Sequence, residues 1–213
     1  MSLLLYCVAL ETAADTSVHG VGDAAVRSEI QSVLRFFFSE IERADLAGLE
    51  IATAAREVHR VVSDLFSKGA VLPFRYPTIV EDSAELAKLA EERGGAFREF
   101  LLRVAGKVQM DIRLTLAAAP DEAEPSSGRE YMEARVRRQA LLMAAAQTCR
   151  EAALSPEWRN QQAGENIRCQ ALIERVEVIS FLERMRTLEL PGGVKAVVTG
   201  PWPPAGFWEG DPR

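Results

Sequence analysis

The chain has 213 residues, 48% hydrophobic and 26% charged, and a net charge of −6. That balance suits a globular protein with its own core and excludes a disordered chain, a collagen-like repeat and a small disulfide scaffold. The excess of carboxylates argues against a nucleic-acid partner, which needs basic surface to displace counterions from phosphates.

Residues 3–10, LLLYCVAL, form a short apolar run that predicts a buried strand. A Gly- and Ser-containing loop follows, then a short helix is expected over Val26–Ile30. Ser32–Glu42 fits both helical spacing and alternation, and its three consecutive phenylalanines favour a strand. From Asp45, a plausible N-cap, the residues Leu46, Leu49, Ala54, Val58, Val61, Val62, Leu65 and Phe66 mark a helical stripe, with Gly69 placed to end it. Ala70–Val80 contains two prolines and reads as an edge strand interrupted at Pro73 and Pro77. Asp82 or Ser83 caps the next helix, which Gly94-Gly95 is expected to break before a further short helix through Phe97, Phe100 and Leu101. Val108–Leu116 alternates cleanly as a strand.

Residues 117–128, AAAPDEAEPSSG, lack any large apolar side chain, and the linker is set at 119–128. Glu130 to about Ala153 predicts a long helix. Ser155-Pro156 ends it, and Pro156 could open another helical turn. Residues 167–176 read as a strand, Val178–Leu188 as a helix, and Val194–Thr199 as a last strand before a Pro- and Trp-rich tail. The fold class is therefore α+β in two domains: a ferredoxin-like domain, with a split βαβ unit, over residues 1–118, and a smaller α+β domain with a long helix over 129–213.

The three cysteines, Cys7, Cys149 and Cys169, form no C-x-x-C pair and read as buried small hydrophobes in a reducing compartment. No run reaches the ~18 apolar residues that span a bilayer, and the apolar N-terminus lacks a basic n-region, so a cytoplasmic protein without a membrane partner is expected. His19 and His59 lie in no metal-binding pattern, Gly20-Val21-Gly22 meets alanine at the third glycine position, and no G-x-S-x-G or Walker sequence occurs. No catalytic residue, cofactor or metal is expected. What stands out is Leu72-Pro-Phe-Arg-Tyr-Pro-Thr78 and Gly200-Pro-Trp-Pro-Pro204 with Phe207-Trp208. Proline limits the entropy lost on ordering and tryptophan offers a large apolar face, so the two motifs suit a rigid plug packed on the protein itself or offered to a partner. The candidate partner-binding or domain-locking residues are Pro73, Arg75, Thr78, Trp202, Pro203, Pro204 and Phe207, with Arg75 expected to pair with a carboxylate.

In this order these motifs resemble the gas vesicle GvpL/GvpF accessory-protein family. LLLYCVAL is similar to the family's opening Leu-Tyr-Gly strand, with Cys7 where glycine is usual. His59 and the following Val-Val match the helix before the proline segment. VLPFRYPTIV is similar to Leu-Pro-x-Arg-Phe-Gly-Thr, with Tyr76-Pro77 in place of Phe-Gly. GKVQMDIRL carries Gln109 where the family has Glu, and SGREYMEAR resembles a Gly-x-x-Tyr-Leu helix start. VVTGPWPPAGF matches Thr-Gly-Pro-Trp-Pro-Pro-Tyr-Ser-Phe, with Ala205-Gly206 for Tyr-Ser. The resemblance implies a non-enzymatic role on gas vesicles: binding the small hydrophobic shell protein and other accessory proteins, to nucleate or chaperone the shell. The alternative class is a small ferredoxin-like enzyme, such as a monooxygenase, or a ligand-binding sensor, which would show a concave apolar pocket with convergent polar groups.

Overall fold

The computed structural model describes residues 1–42, 48–116 and 127–210. The expected cap Asp45, with Leu46, and linker residues 119–126 lie outside the described residues. The chain divides into two compact units, Met1–Lys107 with Pro203–Arg213, and Val108–Trp202. Composition alone placed the boundary at 119–128. The division falls earlier because the strand beginning at Lys107 pairs with Val194–Trp202 rather than within the first sheet.

The first unit holds β1 (Ser2–Leu10), β2 (Arg27–Gln31), β3 (Leu34–Ile41), α1 (Ile51–Lys68), β4 (Val71–Val80) and α2 (Ser83–Arg103). Its sheet runs in the order β2-β3-β1-β4 with antiparallel neighbours. β3 and β4 are therefore parallel, joined by α1, with β1 inserted between them: the split βαβ unit expected of a ferredoxin-like domain. β1 is the central strand and is buried from Leu3 to Ala9. Val26–Ile30 is not helical. Residues 27–31 pair with β3 as a polar edge strand, where Arg27 meets Glu40 at 2.6 Å, so tertiary pairing overrides local preference. α2 runs unbroken through Gly94-Gly95, contrary to the expected break; glycine lowers helix propensity by only about 1 kcal/mol, and the buried Leu86, Ala90, Phe97, Phe100 and Leu101 hold the helix on both sides of the pair. Asp82 caps α2 as expected, accepting from the backbone N–H groups of Ala84 and Glu85.

The three phenylalanines of β3 alternate in direction, so all find cover. Phe36 faces α2. On the opposite face Tyr6 donates to Ser39 Oγ at 2.9 Å and accepts from the Val21 N–H at 2.9 Å, while Ser39 donates to the Ala25 carbonyl. This buried network pins the 11–26 loop onto the sheet. Gly20 is required there, since a Cβ would sit 1.9 Å from the Tyr6 oxygen. The same loop is tied to α1 by Thr16 donating to Asp64 at 2.7 Å. Lys68 donates to Asp64 at 2.6 Å, and these two hydrogen bonds hold that carboxyl below its ordinary pKa.

The second unit holds β5 (Lys107–Leu116), α3 (Gly128–Ala153), β6 (Glu157–Ala163), β7 (Asn166–Glu174), α4 (Val178–Arg186) and β8 (Val194–Trp202), with sheet order β6-β7-β5-β8. Ser127 caps α3 by accepting from the Glu130 N–H. Residues 157–163 form a strand rather than a helical turn. They pair with β7 through a tight turn at Gly164-Glu165, with Gly164 at φ +64°. Leu142, Ala145, Ala146, Cys149 and Ala153 of α3 are buried, as are Ile167, Cys169, Ala171 and Ile173 of β7 and Phe181 and Met185 of α4.

The residues after Trp202 return to the first unit. Phe207 is fully buried, its carbonyl accepts from Arg103 Nη2 at 2.9 Å, and Trp208 packs 5.5 Å from Phe97 and 5.2 Å from Phe100.

Three outcomes follow from this packing. Tyr6→Phe strands the Val21 N–H and should cost about 1–3 kcal/mol in urea unfolding, and Gly20→Ala should be at least as damaging. Phe207→Ala should cost about 3–5 kcal/mol, because it empties a filled core position. The three thiols are buried and burial pushes them up, Cys149 to about 11 and Cys169 to about 12. An unfolded thiol releases its proton from about pH 8.5–9, while the folded one holds it. The thiols' contribution to stability should therefore be constant below that pH and fall as pH climbs toward about 11–12. Thermal unfolding across pH 7–11 checks the slope, which Cys169→Ala should flatten.

Candidate interaction site

Each of the two proline motifs occupies the edge strand of one sheet, and each buckles out of its ladder. In the first unit Leu5 pairs with Thr78 and Cys7 with Pro73, so residues 74–77 leave the pairing between β1 and β4. Tyr76-Pro77 is a cis bond. Thr78 closes the loop by donating to the Arg75 carbonyl at 2.5 Å. Pro73 is half-buried. Arg75 is exposed, and among the described residues its guanidinium meets no carboxylate, contrary to the expected pairing. The bulge turns it outward.

In the second unit Gln109 pairs with Trp202 and Asp111 with Thr199, leaving Gly200-Pro201 as an insertion with a cis bond. Gly200 has φ +123°, and a Cβ there would stand 2.9 Å from the Gln109 carbonyl oxygen, so glycine is needed on both counts.

The structure sorts the predicted residues into two groups. Pro73, Arg75, Thr78, Pro203, Pro204 and Phe207 belong to the first unit, and Trp202 to the second. Within the first unit the motifs converge through a ring that sequence reasoning did not single out. Phe74 of the β4 bulge lies 6.0 Å edge-on from Phe97, and Trp208 lies 5.5 Å from the same ring. Phe36 stacks 6.3 Å from Phe74. Pro204 and Phe207 are buried and Pro203 is half-buried, so these tail residues are packed on their own unit rather than offered outward. The Phe97 and Phe100 pair at i, i+3 was the available signal.

Trp202 is half-buried and donates Nε1–H to Thr199 Oγ1 at 3.4 Å. It walls a depression of about 540 Å³ with Gln109, Asp111, Arg113, Arg168, Val197 and Thr199. Gln109 donates to Asp111 at 2.8 Å, and Arg168 donates to the other Asp111 oxygen. A carboxylate held between a guanidinium and an amide is a fixed electrostatic unit, not a free base. The cysteines are buried thiols and both histidines lie on exposed surface. Among the described residues no group of three or more His, Cys, Asp and Glu could hold a metal, and no helix is long and apolar enough to cross a membrane. The arrangement can bind; its side chains form no nucleophile–base pair.

The family model described as gas vesicle synthesis protein GvpL/GvpF matches residues 2–209. Gas vesicle protein L of Streptomyces sp. (strain CB03234) is 30% identical over 196 residues, covering 78% of this chain and 73% of that protein. The crystal structure of the gas vesicle protein GvpF from Anabaena sp. PCC7120 superimposes with a TM-score of 0.81 at 13% identity, covering 99% of this chain and 97% of that one. GvpF from Microcystis aeruginosa superimposes with a TM-score of 0.75 at 14% identity, covering 98% and 99%. The fold is thus shared well below the identity at which side chains can be compared. With both proline motifs inside the matched span, the chain belongs to the gas vesicle GvpL/GvpF family.

Proposed function

We propose that this protein is an accessory factor of gas vesicle assembly, acting in the cytoplasm and at the vesicle. It binds the small hydrophobic shell protein, together with other accessory proteins, and keeps it competent to build the shell. The family match across residues 2–209 carries the reading. Its physical logic is that a shell subunit with large apolar surface aggregates unless that surface is covered before assembly.

The exposed side of α3 supports such a contact. Met132, Val136 and Met143 project from it at helical spacing, and Val136 is 64% exposed. Methionine is unbranched and adapts to irregular apolar partners. Tyr131 is exposed one position away. A helix presenting apolar side chains at this spacing suits another helix or an apolar groove.

Co-expression with the shell protein tests the proposal. Shell protein should stay in the soluble fraction and co-purify with this chain. The Met132→Asp/Val136→Asp variant should keep its melting temperature within about 2 °C, since both positions are exposed, and should lose most of the retained shell protein. A folded wild-type protein that retains none overturns the reading. Retention unchanged by the double substitution moves the contact off α3.

A further inference from the structure

The depression beside Trp202 has a specific chemistry. Three features define it. Arg168 is clamped by Asp111, whose side chain is 12% exposed, while the arginine side chain remains 53% exposed. A guanidinium has five N–H donors in a rigid fork, and Asp111 engages one of its nitrogens. Arg113, directly paired with Val197 across β5 and β8, is exposed and meets no carboxylate among the described residues. Val197 is 55% exposed and Trp202 half-buried, so an apolar wall stands beside the two guanidinium groups.

Charge decides which partner fits. Lys195, paired with Thr115, lies on the same face of β8 as Val197 and Thr199, two and four residues away. The lining of the depression therefore carries Arg113 and Arg168 against Asp111, with Lys195 farther along β8, a local cationic excess in a chain of net charge −6. β8 is also the terminal strand of its sheet, so an extended segment can approach without displacing another strand.

We propose that this depression is a docking site for an acidic, extended segment of a partner protein. A carboxylate of that segment is taken by Arg113 and Arg168, and a neighbouring apolar side chain packs on Trp202 and Val197. Asp111 and Gln109 are positioning residues: they fix the Arg168 fork before the ligand arrives, which lowers the ordering cost of binding. The inference rests on the reading of this chain as a partner-binding accessory protein and adds a second contact, distinct in chemistry from the apolar stripe of α3.

The test is a titration of the full chain with the peptide acetyl-Leu-Glu-Val-Glu-Leu-amide, followed through the tryptophan indole N–H signals by NMR. The Trp202 signal is assigned with Trp202→Phe. The expected result is a saturable shift of that signal, about tenfold weaker binding of the Gln-for-Glu peptide, and a similar loss in Arg113→Met. Arg113→Met removes an exposed charge and leaves the fold intact, and unchanged indole signals in the free variant check this. Equal binding of both peptides, binding undiminished in Arg113→Met, or no shift at millimolar peptide each overturns the site. If the titration fails while co-expressed shell protein is still retained, the site is overturned and the assembly reading stands. If the titration succeeds while retention fails, the site is supported and the assembly reading is overturned.

Discussion

Phe97 is the ring on which the first unit turns. The β4 bulge has surrendered its ladder hydrogen bonds over residues 74–77, and the returning tail has no strand to join. Aromatic side chains fasten both segments. Phe74 approaches Phe97 edge-on, Trp208 packs beside it, and Phe36 closes the cluster from β3. Each aromatic pair is worth about 0.5–1.5 kcal/mol beyond the area it buries. Four separate stretches of sequence are thereby fastened by one set of contacts, and Arg103 adds a hydrogen bond to the Phe207 carbonyl.

The proline motifs perform the same task in both sheets. An edge strand presents unpaired N–H and C=O groups and invites uncontrolled pairing, and a bulge with proline interrupts that row. Under the assembly role we propose, this separates two needs. The bulged edges resist indiscriminate strand addition, while the α3 stripe and the Trp202 depression are the selective contacts we propose. The tail residues Pro204 and Phe207 serve the fold, and Trp202 faces the depression.

Much of the fold was readable because its signals were strong and local. LLLYCVAL, the Val108–Leu116 alternation, the α1 stripe and the Asp82 cap each follow from side-chain periodicity or a single hydrogen bond. The failures share a physical cause, which is dependence on a distant partner. Residues 27–31 are polar and extended only because β3 lies beside them. Gly94-Gly95 stays helical because the buried apolar residues on either side, Leu86 and Ala90 before it and Phe97, Phe100 and Leu101 after it, pack as one helix face. Residues 157–163 carry no apolar alternation and pair because Gly164 permits the turn. The same limit governed the site. The motifs advertised their prolines and tryptophans, but Asp111 with Arg168 in one unit, and Phe97 with Phe74 in the other, became candidates only once three dimensions paired them. Arg75 shows the reverse: its apolar sequence neighbours suggested pairing with a carboxylate, and the bulge turns it to solvent.

The first unit is discontinuous, and that has a consequence for how the protein comes into being. Its sheet and two helices are encoded before residue 108, yet Phe207 and Trp208 arrive only after the whole second unit has been made. During synthesis the faces of Phe97 and Phe100 wait without their partners, so a nascent or prematurely ended chain displays an aromatic patch that the longer chain conceals. Cover for these two rings is thus separated from them by more than a hundred residues of sequence, and only a chain extending through Trp208 can supply it.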